Sequence, residues 1–203
     1  MVGVFSLYNF NVGVVFMKQY LRSLILNNLK NIPSFKKIKT EEKIHKNLFS
    51  SAYWKNSNVI GLTLSTYPEW DTYNIIYQAW FEDKQVVIPV TNKESLTMNF
   101  YLINSFDDVM EGNYKIKEPI NKSKARYFSK DKIDLMIVPG IVFDKQGYRI
   151  GFGKGYFDRY LSDFNHSKIS LLAEFQIINQ IPTNEYDISV DCLITEKKNI
   201  KVK

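Results

Sequence analysis

The sequence predicts a single α/β domain built on a mainly parallel sheet, and three features point to it. Apolar, β-branched runs alternate with stretches of helical periodicity along the chain. Two of those runs, 59–64 and 86–90, are separated by a helical stretch, which is the layout of a βαβ crossover and favours parallel pairing. A third apolar run, 135–138, leads through a glycine-rich loop into another helical stretch. With 203 residues, 45% of them hydrophobic, and no internal repeat or break in composition, the chain is long enough for one substantial core.

The elements follow in order. Residues 1–16 carry no charge. A secretory leader places positive charge before its apolar stretch, whereas here Lys18 and Arg22 come after it and Asn9 and Asn11 interrupt it. The run is also shorter than the ~20 residues a membrane span needs. We read 1–16 as a non-native or disordered prefix, Met17 as the natural start and 17–203 as the domain. Residues 17–29 read as a helix with Leu21, Leu24, Ile25 and Leu29 on one stripe and Pro33 beyond its end. A second helix is expected from Thr40, whose hydroxyl would cap it, with Ile44, Leu48, Phe49 and Ala52 inward. Strand 59–64, a loop through Pro68, helix 72–81 and strand 86–90 form the crossover, and 100–103 adds a strand. The lysine-rich stretch 107–132 reads as irregular surface. Strand 135–138, a helix over 156–161, and strands 170–173 and 192–194 complete the reading.

The formal charge of +6 favours anionic ligands: nucleotides, folates, nucleic acids or membrane surfaces. Cys192 is the only cysteine, so no internal disulfide forms, and His45 and His166 lack local metal-site spacing with it. That usage suits a reducing cytosol, and we expect a cytoplasmic protein.

The chemistry concentrates in the loop around Arg149-Ile150-Gly151-Phe152-Gly153-Lys154-Gly155-Tyr156-Phe157-Asp158. Gly151, Gly153 and Gly155 permit backbone conformations that turn several N–H groups toward one anion, and the positive end of the following helix adds to them. Arg149 would meet phosphate as a fork and Lys154 as a point charge. No Ser or Thr follows Lys154, which excludes a Walker loop, and the spacing is not that of a dinucleotide fingerprint. Asp158 reads either as a carboxylate favoured by the helix dipole or as a Mg²⁺ ligand beside phosphates. Taken alone, Lys18 and Arg22 read as two charges on a solvated helix face, Asp71 or Thr72 as a helix cap, and Trp70 as a packing residue.

The run from Pro139-Gly140 through Phe143-Asp144 to Arg149-Ile150-Gly151-Phe152-Gly153-Lys154-Gly155-Tyr156-Phe157-Asp158-Arg159-Tyr160-Leu161 resembles the signature of the 5-formyltetrahydrofolate cyclo-ligase family. Lys18-Gln19-Tyr20-Leu21-Arg22, Glu69-Trp70-Asp71-Thr72, and the segment from Ala173-Glu174-Phe175-Gln176 to Asn184-Glu185-Tyr186-Asp187 are similar to further family segments. Tyr186 departs from the histidine many members carry. The resemblance spans about 17–195 and implies a three-layer α/β/α fold. It also implies ATP- and Mg²⁺-dependent closure of 5-formyltetrahydrofolate to 5,10-methenyltetrahydrofolate through a phosphorylated formyl (iminium phosphate) intermediate. It puts Lys18, Arg22 and residues 149–157 on the nucleotide, with Lys154 and Arg149 catalytic. Leu64, Glu69, Gly153, Lys154 and Tyr156 fall on the folate, and Asp158 and Asp187 on Mg²⁺. The expected partner is a folate, with or without a polyglutamate tail, bound by a monomer or weak dimer without nucleic acid or membrane. Another ATP-dependent kinase or ligase using the same loop, a folate binder without catalysis and a nucleic-acid-binding protein are the competing readings.

Overall fold

The computed structural model describes residues 2–112, 116–124 and 126–202, with the backbone alone described for 2–12. Helix α1 (Val2–Lys30) opens the chain, followed by α2 (Ser34–Ser50) and α3 (Ala52–Lys55). β1 (Val59–Gly61), α4 (Tyr73–Phe81) and β2 (Gln85–Thr91) form the expected crossover, and β1 and β2 pair in parallel with Ile60 opposite Val86. Then come β3 (Met98–Ile103), β4 (Val109–Glu111), β5 (Lys117–Pro119), β6 (Tyr127–Phe128) and β7 (Leu135–Ile137). β8 (Val142–Asp144), β9 (Arg149–Ile150), α5 (Tyr156–Leu161), β10 (Ser167–Leu171), β11 (Ile177–Ile178), β12 (Cys192–Ile194) and β13 (Asn199–Lys201) complete the described chain.

Among the described residues, eight strands form one sheet in the order β13-β12-β10-β7-β1-β2-β3-β6. The five central strands, β12 to β2, are mutually parallel, and the antiparallel pairs lie at the two sides. Side-chain alternation splits the core into two clusters, one on each face of this sheet. Ile60, Val86, Ile88, Leu135, Ile137 and Ile194 point to one face, where Ile25 and Leu29 of α1, Ile44 and Leu48 of α2, Trp54 of α3 and Ile75 of α4 cover them. Val87, Met136 and Leu193 point to the other, against Tyr160 and Leu161 of α5 and Phe164. The expected three-layer arrangement is present but lopsided: among the described residues four α-helices lie on one face and a single short one on the other.

Several boundaries differ from the sequence reading. α1 runs on through residues assigned to a prefix, since no proline interrupts it; Val15, Phe16, Met17 and Tyr20 are exposed. Leu24, expected on the buried stripe, is exposed, and Leu21, Ile25, Leu26 and Leu29 carry the contact instead. α2 starts at Ser34 because Pro33 can precede a helix without losing a useful N–H. Thr40 therefore lies inside it, its hydroxyl donating to the Lys36 carbonyl at 2.9 Å, and caps nothing. Ala52 begins the separate helix α3 and is exposed. The stretch expected to be irregular surface holds the β4–β5 hairpin and β6.

Candidate active site at the carboxyl ends of the strands

The chain leaves β1 for β2 on one side through α4, and leaves β7 for β10 on the other side through the glycine loop and α5. Loops therefore splay apart above β1 and β7, opening a crevice at their carboxyl ends, the usual ligand position in such sheets. A cavity of about 370 Å³ lies there. Its walls include Thr63 and Leu64 after β1, Pro89 and Thr91 at the end of β2, Pro139 after β7, and Arg149, Phe152, Lys154, Tyr156 and Asp158 from the glycine loop.

Local geometry shapes that loop. Gly153 (φ +92°) and Gly155 (φ +65°) occupy the left-handed region that side-chain-bearing residues rarely adopt. A β-carbon on Gly153 would also sit 3.2 Å from the Arg22 guanidinium. Gly151 needs neither freedom: its φ is not left-handed and a β-carbon there would meet open space. α5 has six residues, so its dipole adds little, and positive charge at the loop comes from its cationic side chains.

Those cations arrive from distant parts of the chain. On α1, Lys18 and Arg22 are one turn apart on the same face: Lys18 Nζ lies 2.6 Å from Asp187 Oδ2, and Arg22 Nε donates to the Gly151 carbonyl at 2.8 Å. Arg149 is buried, with Nη2 donating to Asp158 Oδ1 at 2.9 Å and Nη1 to the Ile188 carbonyl at 2.5 Å. The Ile188 N–H in turn donates to Asp158 Oδ1 at 3.3 Å, and the Asn184 N–H to Asp187 Oδ2 at 2.9 Å. Burial lowers the pKa of Arg149, opposed by the charges of Asp158 and Asp187; burial lowers that of Arg22 too. The structure thus gathers Lys18, Arg22, Arg149, Asp158 and Asp187 around the loop. Lys18, Arg22 and Asp187 flank the cavity without lining it.

Asp158 and Asp187 each commit one oxygen to these contacts. No group of three or more His, Cys, Asp or Glu side chains suited to a metal occurs among the described residues. Two carboxylates suit Mg²⁺ when nucleotide phosphates and water complete the shell, which is its habit in phosphoryl-transfer sites.

On the opposite wall, Glu69 Oε2 accepts from the Thr66 N–H at 2.8 Å and the Thr66 hydroxyl at 3.0 Å. Burial raises the Glu69 pKa, against the Thr66 hydrogen bonds and the charge of Lys37. Leu64, Tyr156 and Phe157 both line the cavity and belong to or pack on the core, while Phe152 is exposed on the cavity's rim. Ile150 differs from its neighbours: its side chain is 2% exposed in the core and only its backbone belongs to the loop. Trp70 packs as expected, donating through Nε1 to Gln176 Oε1 at 2.6 Å, and Asp71 caps α4 through the N–H groups of Tyr73 and Asn74.

Three residues at or behind the site had no role assigned from the sequence, although Asp144 and Gln176 lie in the segments that carry the resemblance. Gln176 is buried and also donates to the Ile141 carbonyl, tying the Glu69–Trp70 loop to the residue that precedes β8. Asp144 is fully buried and accepts from the N–H groups of Gln146, Tyr148 and Ile181, fixing the β8–β9 turn. Glu118 lines the cavity from β5.

Fold and site together define an α/β enzyme with a cavity of small-molecule size above a parallel sheet, beside a glycine loop flanked by cations. The family model of the 5-formyltetrahydrofolate cyclo-ligase family matches residues 15–196. The chain belongs to that family. It is 30% identical over 195 residues to the probable 5-formyltetrahydrofolate cyclo-ligase of Caenorhabditis elegans, covering 91% of this chain and 95% of the relative. It is 29% identical to that of Escherichia coli strain K12, covering 70% and 80%. Its structure superposes on the 5,10-methenyltetrahydrofolate synthetase of Aquifex aeolicus with a TM-score of 0.80 at 28% identity, covering 92% and 93% of the two chains.

Proposed function

We propose that this chain uses ATP and Mg²⁺ to convert 5-formyltetrahydrofolate into 5,10-methenyltetrahydrofolate, ADP and phosphate. The observation that carries the reading is the gathering of Lys18, Arg22 and Arg149 about one glycine loop, beside a cavity with apolar walls and a half-buried carboxylate, Glu69.

A formamide oxygen leaves poorly, so the reaction converts it into phosphate. The formyl oxygen attacks the γ-phosphorus of ATP; the bond from that phosphorus to the β,γ-bridging oxygen breaks, and ADP leaves with the electron pair. N10 of the folate then attacks the formyl carbon, the carbon–oxygen bond breaks to release phosphate, and the N10 proton goes to solvent. Such chemistry asks the protein for alignment and charge rather than for a nucleophile. Cys192 suits that view, because burial, reinforced by Asp191, pushes its thiol up to about 11. Lys18, Arg22 and Lys154 would hold phosphate oxygens, with the 151–155 backbone as cradle. Arg149 would add charge from behind the loop while keeping Asp158 in place. Asp158 and Asp187 would hold Mg²⁺, which supplies charge neutralisation on the phosphates. Leu64, Tyr156 and Glu69 would seat the pteridine, with Glu69 accepting from its N–H donors. The +6 charge suits the anionic tail of a polyglutamylated folate, and the buried lone cysteine suits a cytoplasmic setting. Nothing in the proposed chemistry requires more than a monomer or weak dimer.

Near-UV absorbance of the methenyl product tests the reading. Absorbance is expected to rise only when 5-formyltetrahydrofolate, ATP and Mg²⁺ are all present. Folded protein that hydrolyses ATP against other acceptors but forms no product would favour the alternative, another small-molecule kinase or ligase.

A further inference from the structure

Glu118 is 2% exposed, a costly position for a carboxylate unless its hydrogen bonds are made. Its Oε1 accepts from the Thr91 N–H at 3.2 Å and the Thr91 hydroxyl at 3.1 Å, and Oε2 lies 3.1 Å from Lys122 Nζ. These contacts have a structural setting. β4 and β5 form a separate two-stranded sheet, so no strand ladder joins this hairpin to the eight-stranded sheet among the described residues. Glu118 fastens the hairpin to the end of β2 instead. Both sides of the fastening are cavity walls: Pro89 and Thr91 belong to β2, and Ile116 and Glu118 come from the hairpin. Across the hairpin, Gly112 backs the carboxylate. A β-carbon there would fall 2.6 Å from Glu118 Cγ and Cδ and 2.7 Å from Oε2, although Gly112 does not line the cavity.

We infer that Glu118 is a positioning residue for the small-molecule substrate: its carboxylate sets the spacing between the hairpin and β2, and so the width of the cavity. The inference rests on the proposed function for the ligand's identity, a folate. Glu118 acts here as an acceptor for Thr91, so a neutral amide that still accepts does the same work, whereas removal of the acceptor, or pressure on it from Gly112, widens or tilts the wall.

The test is steady-state kinetics on the full chain, varying 5-formyltetrahydrofolate and ATP separately, with melting temperatures alongside. Glu118→Ala and Gly112→Ala are expected to raise the KM for the folate roughly tenfold, about the effect of one lost hydrogen bond. Both should leave the KM for ATP near the wild-type value. Glu118→Gln is expected to behave like wild type. Should Glu118→Gln be as damaging as Glu118→Ala, the charge itself would be required and positioning is overturned. Folded variants with an unchanged folate KM, or with both KM values raised alike, also overturn it. Gly112→Ala keeps the test open if Glu118→Ala does not fold. A wild-type chain that never turns over 5-formyltetrahydrofolate would instead overturn the proposed function and this inference with it, an outcome distinct from active variants with unaltered KM.

Discussion

The Arg149–Asp158 contact supports the fold and, in the proposed function, would serve the chemistry as well. The Arg149 side chain is 3% exposed and the Asp158 side chain 28%, and the Asp158 carboxylate also receives the Ile188 N–H. Asp158→Ala strands a buried guanidinium; we expect a loss of about 2 kcal/mol, less than for a fully buried pair because Asp158 is partly hydrated. Asp158→Asn keeps an acceptor for both donors and should melt near wild type. Both variants should lose activity by roughly a hundredfold or more, the scale of removing charge stabilisation from a transition state. An active Asp158→Asn would assign Asp158 to structure alone. Glu69 gives the opposite pattern. Burial raises its pKa above the ordinary 4.5 in the folded state, so its contribution is fully present below the unfolded pKa. That contribution is lost as pH rises through the folded value, which makes the ionised form a net cost at neutral pH. Glu69→Gln retains an acceptor for Thr66, so its melting temperature relative to wild type should climb as pH rises through that range, while folate affinity falls. A constant difference across pH would contradict the burial argument.

At the scale of elements, what could be read from the sequence depended on whether local pattern or distant contact decided the structure. The apolar runs of β1, β2, β7 and β12 announce themselves, and α5 has the expected bounds because a left-handed Gly155 precedes it. The β8–β9 hairpin hides within a signature better known for its glycines, since its strands are three and two residues long. The β4–β5 hairpin was unreadable for another reason: polar, lysine-rich composition looks like solvated loop until Thr91 supplies a partner for Glu118. The same limit governed the site. Glycine spacing and family resemblance marked 149–158, and the structure adds that Lys18 and Asp187, 169 residues apart, touch. The supporting roles of Gln176 and Asp144 were invisible because their partners, the Trp70 indole and the Ile141 carbonyl for Gln176 and backbone N–H groups for Asp144, are brought close only by folding. For α1, the residues that matter to core and site, Lys18, Arg22, Ile25 and Leu29, all follow Met17. We propose that 17–203 is the functional domain. A chain starting at Met17 should therefore keep its melting temperature and its activity; loss of either would show that the first helical turns contribute to the fold.

At the scale of the whole molecule, strand order creates the site. The crossover through α4 and the departure through α5 diverge from β1 and β7; the crevice between them is lined by the Glu69 loop and the glycine loop and flanked by α1 and the 184–188 segment. No single segment holds the chemistry, which explains why basic charge alone left nucleotide, folate and nucleic acid all open. We propose that the assembled site makes the formyl oxygen of the folate a phosphoryl acceptor. The most direct measurement follows that oxygen. With 5-formyltetrahydrofolate carrying ¹⁸O in the formyl group, ATP and Mg²⁺, mass spectrometry of the released inorganic phosphate should find the label there, one labelled oxygen for each methenyl product formed. Unlabelled phosphate beside methenyl product would mean that ATP is cleaved without accepting attack by the formyl oxygen, and would overturn the proposed phosphoryl transfer.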